Sequence, residues 1–145
     1  MQKAKGKVPV SYWVVTVIGL IWNSFGGFDY TMTRMRNVNY LKNAGDPYLL
    51  LAWVDSFPLW AQMAWAMGVW GAIAGSLLML VRSRHAASAF LVSIIGAAAS
   101  FGYQSYNLPD EMSSATNRGI AFMILLSILF LWQFCRHEIG KGILR

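Results

Sequence analysis

The sequence predicts an all-α integral membrane protein, a four-transmembrane-helix bundle with a short interfacial helix in its first outer loop. Three observations carry this. Hydrophobic residues make up 57% of the 145 and charged residues only 12%, where roughly a quarter charged is usual for a soluble domain. Four apolar stretches are long enough to cross a hydrocarbon core of about 30 Å, which takes roughly 20 helical residues. Finally, the charges fall between and beyond those stretches rather than within them. The four spans leave little chain for anything else, so residues 1–145 read as one membrane domain.

The first span runs over 8–28 and carries no charge. Its preceding Lys3, Lys5 and Lys7 imitate the start of a signal peptide. The apolar run is too long for one, contains Trp13, Trp22 and Asn23, and shows no small-x-small cleavage site before Asp29. It reads as an uncleaved anchor. The outer loop that follows, 30–56, is long enough to hold structure. Asp46 before Pro47 marks a helix start, an acceptor side chain followed by a residue that needs no N–H partner. The apolar segment 47–54 is too short to span and is expected to lie in the interface, with Tyr48 and Trp53 at headgroup level. Asp55 or Ser56 is the expected cap of the second span, 57–81, with Pro58 in its first turn. The tight link Arg82-Ser83-Arg84-His85 leads to the third span, 86–103. Asn107-Leu108-Pro109-Asp110 reads as a turn. Thr116 or Asn117 then caps the fourth span, 119–135, which is short and strongly apolar.

Sorting Lys and Arg by side gives the orientation. Lys3, Lys5, Lys7, Arg82, Arg84, Arg136, Lys141 and Arg145 share one face, with Glu138 as its single acid. Arg34, Arg36, Lys42 and Arg118 share the other face with five acids. Both termini are therefore expected in the cytoplasm, and the protein in the inner membrane of a bacterium. The net charge of +6 is an orientation signal and not a nucleic-acid footprint. The expected partners are the lipid bilayer and either another membrane protein or a second copy of the chain.

Lipid is as apolar as leucine, so helices in a membrane associate through close packing and hydrogen bonds. Three spans carry a seam of small or polar residues spaced alternately three and four apart. These are Thr16, Gly19, Asn23, Gly26 and Tyr30, then Ala61, Ala64, Gly68, Gly71 and Gly75, and then Ala86, Ala89, Ser93, Gly96 and Ser100. Gly19, Gly26, Gly68, Gly71, Gly75, Ser93 and Gly96 are the expected helix-packing positions. Span four lacks a seam and is bulky nearly all round. It faces either lipid or another protein.

Within the spans Asn23 is the most notable polar residue, because an unpaired amide in hydrocarbon is costly. Its structural reading is an interhelical hydrogen bond and its functional reading a ligand contact. A second candidate lies at the outer end of the bundle, where Asp29, Tyr30, Arg34, Arg36, Asp55, Trp60, Gln62, Tyr103, Gln104 and Arg118 could line a shallow polar pocket. The same residue types also serve as loop salt bridges and interfacial anchors. His85 and His137 sit at helix ends on one face without a third ligand beyond Cys135 or Glu138, so no metal or haem is expected. One cysteine excludes an internal disulfide and a CxxC site. No nucleophile, phosphate loop or paired-carboxylate motif stands in the chain, so no catalytic residue and no cofactor are expected. The spans as read contain no ionisable group, which argues against a proton- or ion-coupled transporter.

The stretch Trp22-Asn23 before Gly26-Gly27, Phe28-Asp29-Tyr30 with Thr33, Phe57-Pro58-x-Trp60, the run 65–71, Gly75-Ser76-Leu77-Leu78, Arg82-x-Arg84, and Ser93 before Gly96 carry a resemblance. On these residues the chain resembles a widespread, uncharacterised family of four-transmembrane-helix inner-membrane proteins of Proteobacteria, some of which carry a loose sugar-transporter label. The likeness covers spans one to three and implies fold and location. The expected function is a small non-enzymatic accessory or assembly subunit of a larger membrane complex, respiratory or photosynthetic for example. The alternative is a small neutral-solute, sugar-like transporter or ligand-binding membrane protein.

Overall fold

A computed structural model describes residues 7–145. Among them the chain is all helical, with six α-helices: α1 (Val10–Arg34), α2 (Val38–Leu41), α3 (Pro47–Asp55), α4 (Leu59–Leu80), α5 (Ala86–Tyr106) and α6 (Ala115–Gly140). A 3-10 turn over Asp110–Met112 precedes α6. Four of the helices, α1, α4, α5 and α6, are long and apolar enough to cross a membrane. They form a four-helix membrane bundle in which α4 packs on both α1 and α5, and α5 packs on α6. Lys3 and Lys5 of the expected basic face lie outside the described residues.

The closest approach is between α4 and α5, and small residues make it. A Cβ built on Gly96 would lie 2.6 Å from the Ala64 carbonyl oxygen and 2.7 Å from the Gly68 nitrogen. At Gly68 and Gly71 the added carbon would meet Ala97 and Ser93. The Ser93 hydroxyl donates to the Gly68 carbonyl, so this buried polar group is satisfied across the seam. Phe90 fills the space opposite Gly75. On α1 the seam runs through Thr16, Gly19, Asn23 and Gly27, all buried. The expectation differs here, because Gly26 faces open space whereas a Cβ on Gly27 would come within 2.5 Å of Ile73 Cδ1. One residue is a rotation of about 100° around a helix, enough to move a position from the seam to its flank.

The helix ends depart from expectation for identifiable reasons. α1 continues six residues past Phe28, carrying Asp29 and Arg34 inside the helix. Thr31 and Thr33 return their hydroxyls to the carbonyls of Gly27 and Asp29 (2.7 and 2.9 Å) and so satisfy themselves within it. α1 ends with Arg36 in a left-handed conformation (φ 56°), its N–H bonded to the Thr33 carbonyl and the Asn37 N–H to the Met32 carbonyl. This is the Schellman arrangement, which ordinarily uses glycine. Arg82 repeats it after α4 (φ 58°), and Gly142 after α6 (φ 74°). Each arginine accepts the strained backbone while its side chain holds a distant segment. Arg36 makes a bidentate pair with Asp55 (3.1 and 2.7 Å), and Arg82 Nε donates to the Ile143 carbonyl (3.1 Å).

Asp46 caps α3 as expected, accepting from the Tyr48 and Leu49 N–H groups. The cap of α4 is not Asp55 or Ser56, since α3 runs through Asp55 and Ser56 becomes its C-cap. Pro58 stands at the N-cap of α4 without a side-chain bond. Ser114, not Thr116 or Asn117, caps α6 and accepts from the Asn117 N–H at 3.1 Å. At the opposite end, Tyr12 donates to the Met79 carbonyl (2.6 Å), which also accepts the Arg82 N–H (2.9 Å). Residues 141–145 fold back beneath the α4–α5 link, with Arg84 and Arg145 exchanging backbone bonds with Arg145 and Arg82 (3.0 and 2.9 Å). Glu138 is buried there, with Oε1 on Lys141 at 3.1 Å and Oε2 without a partner among the described residues.

Candidate functional site

α6 approaches α1 through side chains. Leu131 covers Gly19, Trp22 Nε1 donates to Ser127 Oγ at 3.0 Å, and Tyr12 stacks on Phe134 with ring centroids 6.0 Å apart. These pairs set the two helices antiparallel. The next pairing outward would place Gly26 opposite Met123, yet nothing stands within 4 Å of a Cβ on Gly26. Phe25, Ile120, Phe122 and Met123 are all exposed. The two helices therefore part beyond Trp22, and a cavity of about 530 Å³ opens between them.

The cavity reaches inward to Asn23, Gly68, Ala72 and Ala97, and outward to Asp29, Tyr40 and Gln104. α2 and α3 roof it with Leu41, Leu50 and Trp53, and α6 contributes Ile120, Ile124 and Ile128. The roof is tied down by Trp53 Nε1 donating to the Asn107 carbonyl at 2.9 Å. Trp53 thus anchors the roof to the end of α5. Phe57 is buried at the centre of an aromatic cluster, 4.9 Å from Trp53 and 5.3 Å from Tyr103 between ring centroids.

Asn23 makes the interhelical hydrogen bonds of its structural reading and also borders the cavity. Its Nδ2 donates to Ser76 Oγ (2.8 Å) and to the Ala72 carbonyl (3.3 Å), while Ser76 donates to that same carbonyl (3.0 Å). The opposite amide orientation would set two carbonyl oxygens against each other, so the network fixes which end is nitrogen. Both N–H groups are consumed between α1 and α4. Among the described residues Oδ1 accepts no hydrogen bond, and the residue borders the cavity. Asp29 stands at the outer rim, its Oδ1 accepting the Tyr40 hydroxyl at 2.9 Å. Removal of the Tyr40 phenol from water, reinforced by this bond to Asp29, raises its pKa above the ordinary value. Gln104 spends its amide N–H on Ser100 Oγ at 2.7 Å.

The remaining expected ligand residues do not join this cavity. Arg34, Asp55 and Gln62 border a separate polar recess of about 160 Å³ with Arg36 and Thr33. Arg34 Nη1 donates to Gln62 Oε1 at 3.2 Å, and hydrogen bonds from Arg36 to Asp55 hold the Arg36 guanidinium above its ordinary pKa. Tyr30 packs edge-on against Trp65 at 4.8 Å and Trp60 against Tyr103 at 5.3 Å, both outside either space. The single outer pocket drawn from the sequence is thus two spaces and an aromatic anchor set. Tyr40 lies in a loop and the α6 isoleucines are apolar, so neither carries a polar signal inside a span; Ser100 carries one but reads only as a packing position.

Among the described residues no group of three or more His, Cys, Asp or Glu side chains converges as a metal site would require. No protein-family model matches the chain, and neither a curated protein nor a solved structure matches it.

Proposed function

We propose that this chain is a non-enzymatic membrane protein that holds an amphipathic molecule in the cavity between α1 and α6. The observation that carries this reading is the cavity's reach to Asn23, whose carbonyl oxygen accepts no hydrogen bond among the described residues. A volume of about 530 Å³ falls within the range of ligand sites, roughly 300–1,000 Å³, which are mostly apolar with a few placed polar groups. The gap between α1 and α6 gives an apolar tail a lateral path into lipid. Gly26 supplies the test, because a side chain there points into free space. Gly26→Leu places a bulky side chain in the cavity, and its Cβ meets no neighbour within 4 Å. In uncharged detergent the wild-type protein is expected to enhance the fluorescence of the uncharged probe phenylnaphthylamine saturably, and Gly26→Leu to remove that component. Equal enhancement by both proteins would overturn the reading.

A second reading is the accessory or assembly subunit. The outer turns of α6 favour it, since Ile120, Phe122, Met123 and Leu126 are exposed. A monodisperse monomer with no co-purifying protein after gentle extraction would count against it. For location, the basic residues at the end holding the α4–α5 link support cytoplasmic termini in a bacterial inner membrane. Alkaline phosphatase fused after residue 145 should then be inactive, and fused within 107–114 active.

A further inference from the structure

The chemistry of the cavity wall is one-sided. Among the described residues that line it, Asp29 is the only formally charged group, with no Lys, Arg or His. Most of its side-chain donors are already committed, and those left over are neutral. Asn23 commits both N–H groups to α4, Gln104 commits an N–H to Ser100, and the Tyr40 hydroxyl is committed to Asp29. What remains for a ligand is three acceptors, Asn23 Oδ1, Gln104 Oε1 and Asp29 Oδ2, and the neutral donors of Gln104 (its second N–H), Ser100 (its O–H) and Trp65 (its ring N–H), none of which makes a hydrogen bond among the described residues. Eight aromatic rings complete the wall, including Trp22, Phe28 and Trp65. The Phe28 ring is set edge-on to Tyr40 at 5.4 Å, beside the Asp29 carboxylate. An anion would find no cation among the described lining residues, only neutral donors, and would face the Asp29 carboxylate. A cation would find a carboxylate, amide oxygens and ring faces, and attraction to aromatic faces strengthens away from water.

We infer that the cavity selects lipophilic organic cations, with Asp29 and the aromatic rings at the outer rim as the charge-sensing part and the α1–α6 gap as the seat of the apolar body. This rests on the ligand-binding reading above and specifies its ligand class. Asn23 and Asp29 are six residues apart on α1, about 9 Å along the axis. A cation held at Asp29 therefore leaves its apolar groups beside Phe25 and Ile124, with Asn23 Oδ1 deeper.

Tetraphenylphosphonium and tetraphenylborate are matched in shape and opposite in charge, and they make the test. Binding to the detergent-purified protein is followed by titration calorimetry, with Gly26→Leu as the baseline for partition into micelles. Wild type is expected to bind the cation at least tenfold more tightly than the anion, and Asp29→Asn to weaken cation binding about tenfold while still enhancing phenylnaphthylamine fluorescence. No cation binding above the Gly26→Leu baseline, equal binding of the two ions, or unchanged cation binding in Asp29→Asn would each overturn the inference. If phenylnaphthylamine still separates wild type from Gly26→Leu in those cases, the cavity stands and only its charge preference falls. If that separation is also lost, the ligand-binding reading falls with it.

Discussion

α4 and α5 meet backbone to backbone, whereas α1 and α6 meet at side-chain tips and over only part of their length. The contrast comes from residue size. Across the first pair Gly96 stands opposite Ala64 and Gly68, so close that a single added methyl would strike main-chain atoms. Across the second pair a leucine, Leu131, fills the space over Gly19. Close backbone approach is how helices gain contact in a solvent that offers no hydrophobic drive for their association. α6 has no small-residue seam, cannot approach as closely, and parts from α1 beyond Trp22. The tight interface holds the bundle and the loose one leaves room for a ligand.

The sharpest way to break this contrast is Gly96→Ala. The new methyl meets the Ala64 carbonyl and the Gly68 nitrogen, neither of which can rotate away. Overpacking of this kind costs about 1–3 kcal/mol and more where backbone must move, and we place it at about 3 kcal/mol. The loss is read by denaturant unfolding in mixed micelles. A loss below that of Gly19→Ala would show that α4 and α5 are not the tighter pair.

Gly19→Ala is the matched change on the looser side. Its methyl approaches Leu131 Cδ2 at 3.0 Å, the end of a side chain that can change rotamer. The expected cost is about 1 kcal/mol in the same assay, at the low end for overpacking. Ser127→Ala probes the last polar contact before the helices part. It removes the acceptor of the Trp22 N–H, which lies at an exposed position. Interhelical hydrogen bonds in membranes average about 0.6 kcal/mol, so a loss near that size is expected, together with a red-shifted and more quenchable Trp22 fluorescence in a background without the other tryptophans.

The contrast was only half legible in the sequence. Four spans follow from hydropathy, and the α4–α5 seam follows from Gly68, Gly71, Gly75, Ser93 and Gly96, because glycine at helical spacing in a membrane has few uses besides close approach. Asp46 was readable as a cap because it precedes proline. What stayed hidden has two physical sources. A span ends where hydrogen bonding allows, not where hydropathy falls, so Asp29 was placed outside a helix that Thr31, Thr33 and the left-handed Arg36 carry on to Arg34. And an isoleucine facing a cavity is the same letter as one facing lipid, so Ile120, Ile124 and Ile128 carried no mark of the site. Asn23 and Asp29 were visible because polar groups near an apolar span are rare, whereas Tyr30 and Trp60 were drawn in by residue type alone.

The smallest expected effect is also the most diagnostic, because its sign differs from the others. Gly26 sits in the middle of α1 on the cavity side, at an exposed position with nothing within 4 Å of an added Cβ. Replacing a helical glycine by alanine restricts the unfolded chain, and where no clash arises this stabilises by about 0.4–1 kcal/mol. Gly26→Ala is therefore expected to leave stability unchanged or raise it slightly, while Gly19→Ala seven residues earlier on the same helix lowers it. The two substitutions add the same atom to the same helix and differ only in what stands opposite. If Gly26→Ala instead cost as much as Gly19→Ala, α6 would have to close over α1 along its whole length, and no cavity would remain for a ligand to occupy.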